Sequence, residues 1–183
     1  VVPFGPEDNP VRNIVAGGSY TFAQLADGGI SVWGTASNGW AIIPDEILNG
    51  DVVVTQIGAG SQQTIVLLED GTIRGWGRNN YGQADVPTET QQPDNPVIQV
   101  DSGGWHSVAL LEDGTVVCWG RTDRGACDIP PGIGTSSNPA IQVAAGGDHT
   151  VALLADGSVV CWGQNSFGQC NLPAELIDPV RDR

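Results

Sequence analysis

Short apolar runs separated by polar turn residues follow one another along the chain. Near the end, the runs 141–146 (IQVAAG) and 149–155 (HTVALLA) are two residues apart, and an Asp-Gly pair precedes a third run, SVVCWG. Runs of this length bounded by glycine and aspartate predict β-strands, and the Asp-Gly pair predicts a two-residue hairpin turn. The segment Cys170–Pro173 is expected to form a short fourth strand at the sheet edge, where proline is tolerated. No segment has a helical period, so the chain is predicted to be all-β.

The same pattern recurs at a fixed offset of 43 residues, which tryptophan, aspartate and proline all keep. The chain of 183 residues therefore consists of four copies with almost nothing left over. A period of this size is typical of a β-propeller, in which each copy forms one blade. The predicted organisation is an N-terminal extension, a single propeller domain of four blades and a short tail: 1–9, then 10–52, 53–95, 96–138 and 139–181, then 182–183.

The marks inside each copy resemble a known repeat. Residues 146–169 (GGDHTVALLADGSVVCWGQNSFGQ) are similar to the repeat of the regulator-of-chromosome-condensation propeller superfamily in their Gly-Gly-x-His, Ala-Leu, Asp-Gly, Trp-Gly and Asn-x-x-Gly-Gln positions. The compact ending GQADVP at residues 82–87 resembles secreted propeller proteins that inhibit β-lactamases. The resemblance covers residues 10–181 and implies the propeller fold. Because the superfamily includes exchange factors, ubiquitin-ligase modules and enzyme inhibitors, it does not select a function.

The number of copies leaves the closure of the ring open. Members of this superfamily usually close a ring of seven blades, whereas this chain has four copies. The chain could form a closed four-bladed ring, supply half of an eight-bladed ring built by two chains, or be a piece of a longer chain. An open arc would expose two apolar blade faces and unpaired edges. We therefore expect two chains to associate as a dimer.

The charge of the chain narrows the classes of partner. The net charge is −14, and all seven basic residues are arginines. A chain this acidic is not expected to bind nucleic acid or anionic membranes, which attract positively charged surfaces. No run approaches the roughly 18 apolar residues that a membrane-spanning helix requires, so membrane insertion is not expected.

The cysteines come in two pairs with the same spacing. Each of the last two copies contains both cysteines of a pair nine residues apart, whereas the first two copies contain neither. This joint presence favours one disulfide within each blade, although free thiols or a metal site made of all four remain alternatives. Zinc sites favour Cys-x-x-Cys spacing, so no metal or cofactor is expected. Disulfides would indicate a secreted or extracellular protein. The expected pairs are Cys118 with Cys127 and Cys161 with Cys170.

Residues in the same register of every copy are interpreted as structural. The repeated tryptophans are expected to pack between blades, and the two histidines occupy one hydrogen-bonding position in neighbouring copies. Ser107 and His106 are adjacent on a predicted strand and so point to opposite faces, which prevents a catalytic pair. The chain is therefore predicted not to be an enzyme. The structural residues are Trp33, Trp76, Trp119, Trp162, His106 and His149.

Variable loop positions are the candidates for binding. Alternating strand directions place the Gly-Gly loop and the Asn-x-x-Gly-Gln loop on one face of each blade, called the top face here, and the Asp-Gly turns on the other. The top-face positions differ between copies and include aromatic and arginine residues, which dominate protein-binding hot spots. The candidate residues are Trp105, Tyr81, Phe167, Trp40, Arg124, Arg78, Arg121, Gln62 and Asp148.

These residues predict a non-catalytic module that binds a protein partner through its top face. The alternative is a carbohydrate-binding or surface-adhesion module of an extracellular or virion assembly, in which the aromatic rings stack on a glycan. Four equivalent loops would favour the glycan, and the loops here are not equivalent. Loop residues can also vary without any function, which is a third interpretation.

Overall fold

The strands form four separate antiparallel sheets of three strands each. The computed structural model describes residues 9–34 and 42–177. Each sheet corresponds to one sequence copy, which confirms the prediction of an all-β propeller built of four blades. The blades contain β1 (Val11–Ala16), β2 (Tyr20–Leu25) and β3 (Ile30–Gly34); β4 (Val54–Ala59), β5 (Gln63–Leu68) and β6 (Ile73–Gly77); β7 (Val97–Ser102), β8 (His106–Leu111) and β9 (Val116–Gly120); and β10 (Ala140–Ala145), β11 (His149–Leu154) and β12 (Val159–Gly163).

The Asp-Gly turns connect the second and third strands of each blade. In blade 4 the connection spans residues 155–158, so it is longer than the predicted two-residue turn. Gly157 takes a φ of 87°, whereas no residue other than glycine has a positive φ in the described ranges. The Asp156 carboxylate instead accepts a hydrogen bond from the backbone N–H of Ser158 at 2.8 Å. Aspartate therefore stabilises the turn as an acceptor, and glycine supplies the left-handed conformation.

The prediction of a fourth strand is wrong in blades 2 to 4, where the corresponding segment is described. After β6, the side chain of Asn79 accepts a hydrogen bond from the backbone N–H of Ala84 at 2.9 Å and donates one to Asp85 at 2.6 Å. The loop thus satisfies its polar groups internally, and Pro87 has no N–H to offer a neighbouring strand. Short helical turns follow three of the repeated prolines: α1 (Asp45–Leu48), a 3₁₀ turn (Thr88–Gln91) and α2 (Ala174–Ile177).

Every blade has two different faces, set by the alternation of side chains along its strands. The tryptophan face carries the repeated tryptophan, and the latch face carries the residue that occupies the histidine position. Each junction between consecutive blades packs a latch face on the next tryptophan face. Between blades 3 and 4 the latch face contributes His106, Val108, Leu110, Val116 and Cys118, and the tryptophan face contributes Thr150, Ala152, Leu154, Val160 and Trp162.

The first residue of the second strand also joins consecutive blades through hydrogen bonds. The Tyr20 hydroxyl donates to the carbonyl of Gln63 in blade 2 at 2.6 Å. The Gln63 amide in turn donates to the carbonyl of His106 in blade 3 at 3.1 Å, and the His106 Nε2 lies 3.0 Å from the hydroxyl of Thr150 in blade 4. We call these the latch residues, because each connects its own blade to the next.

Blade 1 departs from the expectation that all four tryptophans lie in the core. The exposed fractions of Trp76, Trp119 and Trp162 are 9%, 8% and 6%, whereas that of Trp33 is 54%. Ile14, on the first strand of the same blade, is 68% exposed. The cause is that no blade among the described residues covers the tryptophan face of blade 1. The four described blades therefore form an open arc, not a closed four-bladed ring.

The inner loops of the four blades converge. Residues 16–18, 59–61, 102–104 and 145–147 line a shared cavity of about 270 Å³. The cysteine pairs form disulfides within blades 3 and 4, as predicted: Cys118 with Cys127 and Cys161 with Cys170. No helix in the described part of the chain has the length and apolar character needed to cross a membrane.

Candidate binding face

In blades 2, 3 and 4 the two variable loops lie side by side. The backbone N–H of Arg78 donates to the carbonyl of Gln62 at 2.7 Å, and that of Arg121 donates to the carbonyl of Trp105 at 2.9 Å. In blade 4 the N–H of Gln164 donates to the carbonyl of Asp148 at 2.9 Å. Each bond ties the end of the third strand to the Gly-Gly loop, which places both loops on the same face.

A cluster of aromatic rings and guanidinium groups bridges blades 2 and 3 on this face. The rings of Tyr81 and Trp105 meet edge to face with centroids 5.9 Å apart. The guanidinium carbon of Arg78 lies 4.6 Å from the Trp105 ring centroid, and that of Arg121 lies 5.3 Å from the Tyr81 ring centroid. The Arg78 Nη1 also donates to the Gln62 Oε1 at 2.6 Å. We call these five residues the arginine–aromatic cluster.

The cluster is both accessible and held in place. Tyr81 is 48% exposed, and Trp105, Arg78 and Arg121 are half-buried. Cation–π contacts and edge-to-face ring contacts each contribute about 0.5–1.5 kcal/mol and restrict the side chains to one arrangement. Side chains that are already ordered lose less entropy when they bind. The cluster therefore has the residue types and the order of a binding hot spot.

The charges of the two guanidinium groups are balanced differently. Arg121 forms a two-point ion pair with Asp123, whose Oδ2 accepts from the Arg121 Nη2 at 2.7 Å. The hydrogen bond from Arg121 lowers the pKa of Asp123. Within residues 9–34 and 42–177, Arg78 has no carboxylate partner. Asp123 was not among the sequence candidates, although it stands two residues from Arg121 in the same loop.

The remaining candidates do not join the cluster. Arg124 and Asp148 face each other across blades 3 and 4, with Nη1 and Oδ2 3.6 Å apart. Phe167 is 91% exposed at the tip of the blade 4 loop. Its backbone N–H donates to the Gln169 side chain at 2.9 Å, which fixes the loop rather than the ring. Trp40 lies outside the described residues.

The two histidines lie in the same position of neighbouring blades but in different surroundings. His106 is 1% exposed, and desolvation lowers its pKa to about 4, although the charge of Asp148 opposes the shift. His149 lies on the latch face of blade 4, which no blade covers in the structure. Within the described ranges no group of three or more histidine, cysteine or acidic side chains is arranged to hold a metal ion.

Comparison with known proteins agrees with a propeller built of short blades. Among solved structures, Prp20p of Saccharomyces cerevisiae is similar in fold. It superposes with a TM-score of 0.73 at 20% identity, over 92% of this chain and 48% of Prp20p. That structure was described together with the binding of Prp20p to Gsp1p and histones. This chain thus spans about half the length of the solved structure that it matches.

Two further structures share the fold. The CRINKLY WD40 ectodomain of the Arabidopsis thaliana receptor kinase ACR4 has a TM-score of 0.67 at 24% identity, over 85% of this chain and 51% of that one. The C-terminal domain of gp131 from bacteriophage phiKZ has a TM-score of 0.54 at 17% identity, over 86% of this chain and 49% of that one. No curated protein sequence matches the chain.

The family model of the regulator of chromosome condensation (RCC1) repeat matches the chain three times, at residues 54–83, 97–126 and 140–169. These segments correspond to blades 2, 3 and 4, each from its first strand to the loop after its third strand. The chain is an RCC1-like propeller repeat protein. The resemblance to secreted β-lactamase inhibitors stays a prediction.

Proposed function

We propose that this protein is a non-catalytic module that binds a protein partner through its top face, with the arginine–aromatic cluster as the central contact. The observation that carries the proposal is the stacking of Arg78, Trp105 and Tyr81 across two blades on an accessible surface. Arginine, tyrosine and tryptophan are the residues most enriched in hot spots, and here they adjoin one another.

The chemistry of the cluster indicates what the partner offers. The Arg78 guanidinium stacks on Trp105 and bonds to the neutral oxygen of Gln62, so its charge is free to meet a carboxylate. The exposed part of the Tyr81 ring can pack against an apolar side chain. We expect a partner surface that combines one acidic side chain with an apolar neighbour, because this combination matches both halves of the cluster.

The proposed function belongs to an extracellular protein. The two disulfides suggest an oxidising compartment. The alternative function, a carbohydrate-binding or adhesion module of an extracellular or virion assembly, is supported by the fold shared with a phage protein domain and with a receptor ectodomain. We favour a protein partner because the top-face loops of the described blades differ in sequence and geometry.

The test is a pull-down. Wild-type chain and cluster variants are immobilised, and the proteins that each retains from the extracellular fluid of the source are compared. We expect Arg78→Ala and Trp105→Ala each to lower the affinity for the retained partner by roughly 30-fold or more, which corresponds to ~2 kcal/mol. The matched control is Glu112→Ala, an exposed residue at the Asp-Gly end of blade 3.

The outcomes separate the two functions. Loss of one retained protein in both cluster variants but not in the control would support the proposal. Equal retention by all four proteins would contradict it. Binding to a glycan array that Trp105→Ala abolishes, without any retained protein, would favour the carbohydrate-binding alternative instead.

A further inference from the structure

Each end of the arc exposes one blade face, and the two exposed faces are of the two kinds that pack together at the junctions within the chain. At one end the tryptophan face of blade 1 exposes Ile14 and Trp33 to 68% and 54%, whereas the equivalent residues of blade 4, Val143 and Trp162, are 2% and 6% exposed. At the other end the latch-face residues Val151, Leu153 and Val159 of blade 4 are half-buried, although their equivalents in blade 3 are buried.

The residues of the two end faces are those of an existing junction. The latch face of blade 4 carries the same five residue types, in the same positions, as the latch face of blade 3 that packs on blade 4. The tryptophan face of blade 1 carries four of the five residue types of blade 4, and Ser31 replaces the valine. The sets are His149, Val151, Leu153, Val159 and Cys161 at one end, and Thr21, Ala23, Leu25, Ser31 and Trp33 at the other.

We propose that the latch face of blade 4 binds the tryptophan face of blade 1 in a second copy of this chain, so that two arcs close one eight-bladed ring. The junction reproduces the packing between blades 3 and 4 with three changes on the tryptophan face: Val11, Ile14 and Ser31 stand where blade 4 has Ala140, Val143 and Val160. In that packing His106 Nε2 lies 3.0 Å from the Thr150 hydroxyl, so His149 of one copy takes the hydroxyl of Thr21 in the other. This proposal is independent of the binding function of the top face.

The backbone of the Gly-Gly loop in blade 4 also leaves a position open that the equivalent loops of the other blades fill with a bond to the next blade. At all three junctions the second residue of this loop donates its N–H to a glycine carbonyl of the next blade. The bonds are Gly18 to Gly60 at 3.0 Å, Ser61 to Gly103 at 3.3 Å, and Gly104 to Gly146 at 3.2 Å and to Gly147 at 2.8 Å. A Cβ on Gly104 would stand 2.5 Å from the carbonyl oxygen of Gly147. A Cβ on Gly147 would meet nothing within 4 Å. In the same register, the N–H of Gly147 would donate to the carbonyl of Gly17 of a second copy in this open space.

A second copy fits better than closure of the chain on itself. Closure within one chain would bring Trp33 under Val151 of the same molecule, and the structure instead leaves Trp33 in solvent. Because the contact joins two different faces, each copy uses both of its ends, and the ring is complete when two copies have met. Burying the apolar residues of both end faces supplies the driving force.

The test is the mass of the whole chain in solution, measured by sedimentation over a range of concentrations. We expect wild-type protein to have twice the chain mass of 19.0 kDa. Trp33→Asp and Val151→Asp each place an unpaired charge in the junction and should raise the concentration for half-association by roughly 100-fold. The matched control Ile98→Asp changes a residue that stays 50% exposed although blade 3 is covered on both sides, and it should keep the wild-type mass.

Two further variants keep the result interpretable if a charged variant unfolds. Thr21→Val removes the hydroxyl that His149 of the second copy takes and keeps the volume of the side chain, so it should weaken association and leave the circular dichroism spectrum unchanged. Mixing Trp33→Asp with Val151→Asp restores one intact junction per pair and should produce some dimer. A wild-type mass of 19.0 kDa at all concentrations, or an open polymer larger than a dimer, would overturn the proposal.

Discussion

The latch position shows how different side chains perform one structural task. Tyrosine, glutamine and histidine occupy it in blades 1, 2 and 3, and the tyrosine and glutamine donate hydrogen bonds to backbone carbonyls of the next blade. The first glycine of each Gly-Gly pair is required beside it, since a Cβ on Gly103 would stand 2.3 Å from the His106 ring. The recurrence of histidine in this position is therefore explained by packing between blades, and no catalytic role is needed.

The burial of His106 predicts a pH dependence of stability. The folded-state pKa is about 4, below the ordinary value of 6.5, because burial disfavours the charged ring. Between these two values the unfolded chain binds more protons than the folded chain. The stability that depends on neutral His106 is thus complete above pH 6.5 and decreases as the pH falls towards 4, by about 3 kcal/mol at most.

His106→Gln tests this dependence, since glutamine already occupies the same position in blade 2. The difference in unfolding free energy between wild type and His106→Gln should shrink as the pH falls from 6.5 to 4, as measured by urea unfolding at several pH values. Parallel pH curves for wild type and His106→Gln would contradict the explanation.

At the scale of the blade, the disulfides of blades 3 and 4 replace a packing contact that blade 2 makes in a different way. Cys118 and Cys127 connect the third strand of blade 3 to the loop that follows it. The equivalent strand position in blade 2 is Gly75, where a Cβ would stand 2.4 Å from the carbonyl oxygen of Ala84. In blade 2 the loop therefore lies directly on the strand backbone, and no covalent bond is present.

Removing a disulfide should destabilise its blade without changing the fold. Cys118→Val with Cys127→Ala introduces the residue types of the first copy, and we expect a loss of about 2–3 kcal/mol for a loop of this length. The corresponding change at Cys161 and Cys170 removes the equivalent bond of blade 4 and should lower the free energy of unfolding by a similar amount. Urea unfolding measures both, and an unchanged midpoint in either variant would show that the bond does not constrain the unfolded chain.

The sequence predicts the blades better than their edges. The offset of 43 residues locates three strands in every copy, because equivalent residues must face equivalent neighbours. The fourth strand was predicted from its length and its position before proline, but the side chain of Asn79 closes the loop on itself. Such competition between a side chain and a ladder depends on geometry that residue types alone do not give.

The candidate site was predicted in composition but not in arrangement. Sequence reasoning placed Arg78, Tyr81, Trp105 and Arg121 on one face from the direction of the strands. It did not predict that they form one stack, because the contact between Tyr81 and Trp105 joins two blades and depends on the rotation between them. The pairing of Arg121 with Asp123 is local, so their spacing of two residues was a signal that sequence reasoning missed.

At the scale of the molecule, one repeated junction explains both the order of the blades and the exposure of the ends. At each of the three junctions a latch face packs on a tryptophan face, so the four described blades leave one face of each kind uncovered. The expectation that all four tryptophans are buried was wrong for Trp33 for this reason alone. The repeat therefore specifies how blades join, and under the proposed association of two copies the number of blades in the ring is eight.

The environment of Trp33 in a crystal of the assembled protein tests this account most directly. We predict that His149 and Val151 of a second copy cover the ring, with the His149 ring at hydrogen-bonding distance from the Thr21 hydroxyl. A Trp33 ring that is covered by residues of its own chain, or that remains in solvent in the assembled protein, would contradict it.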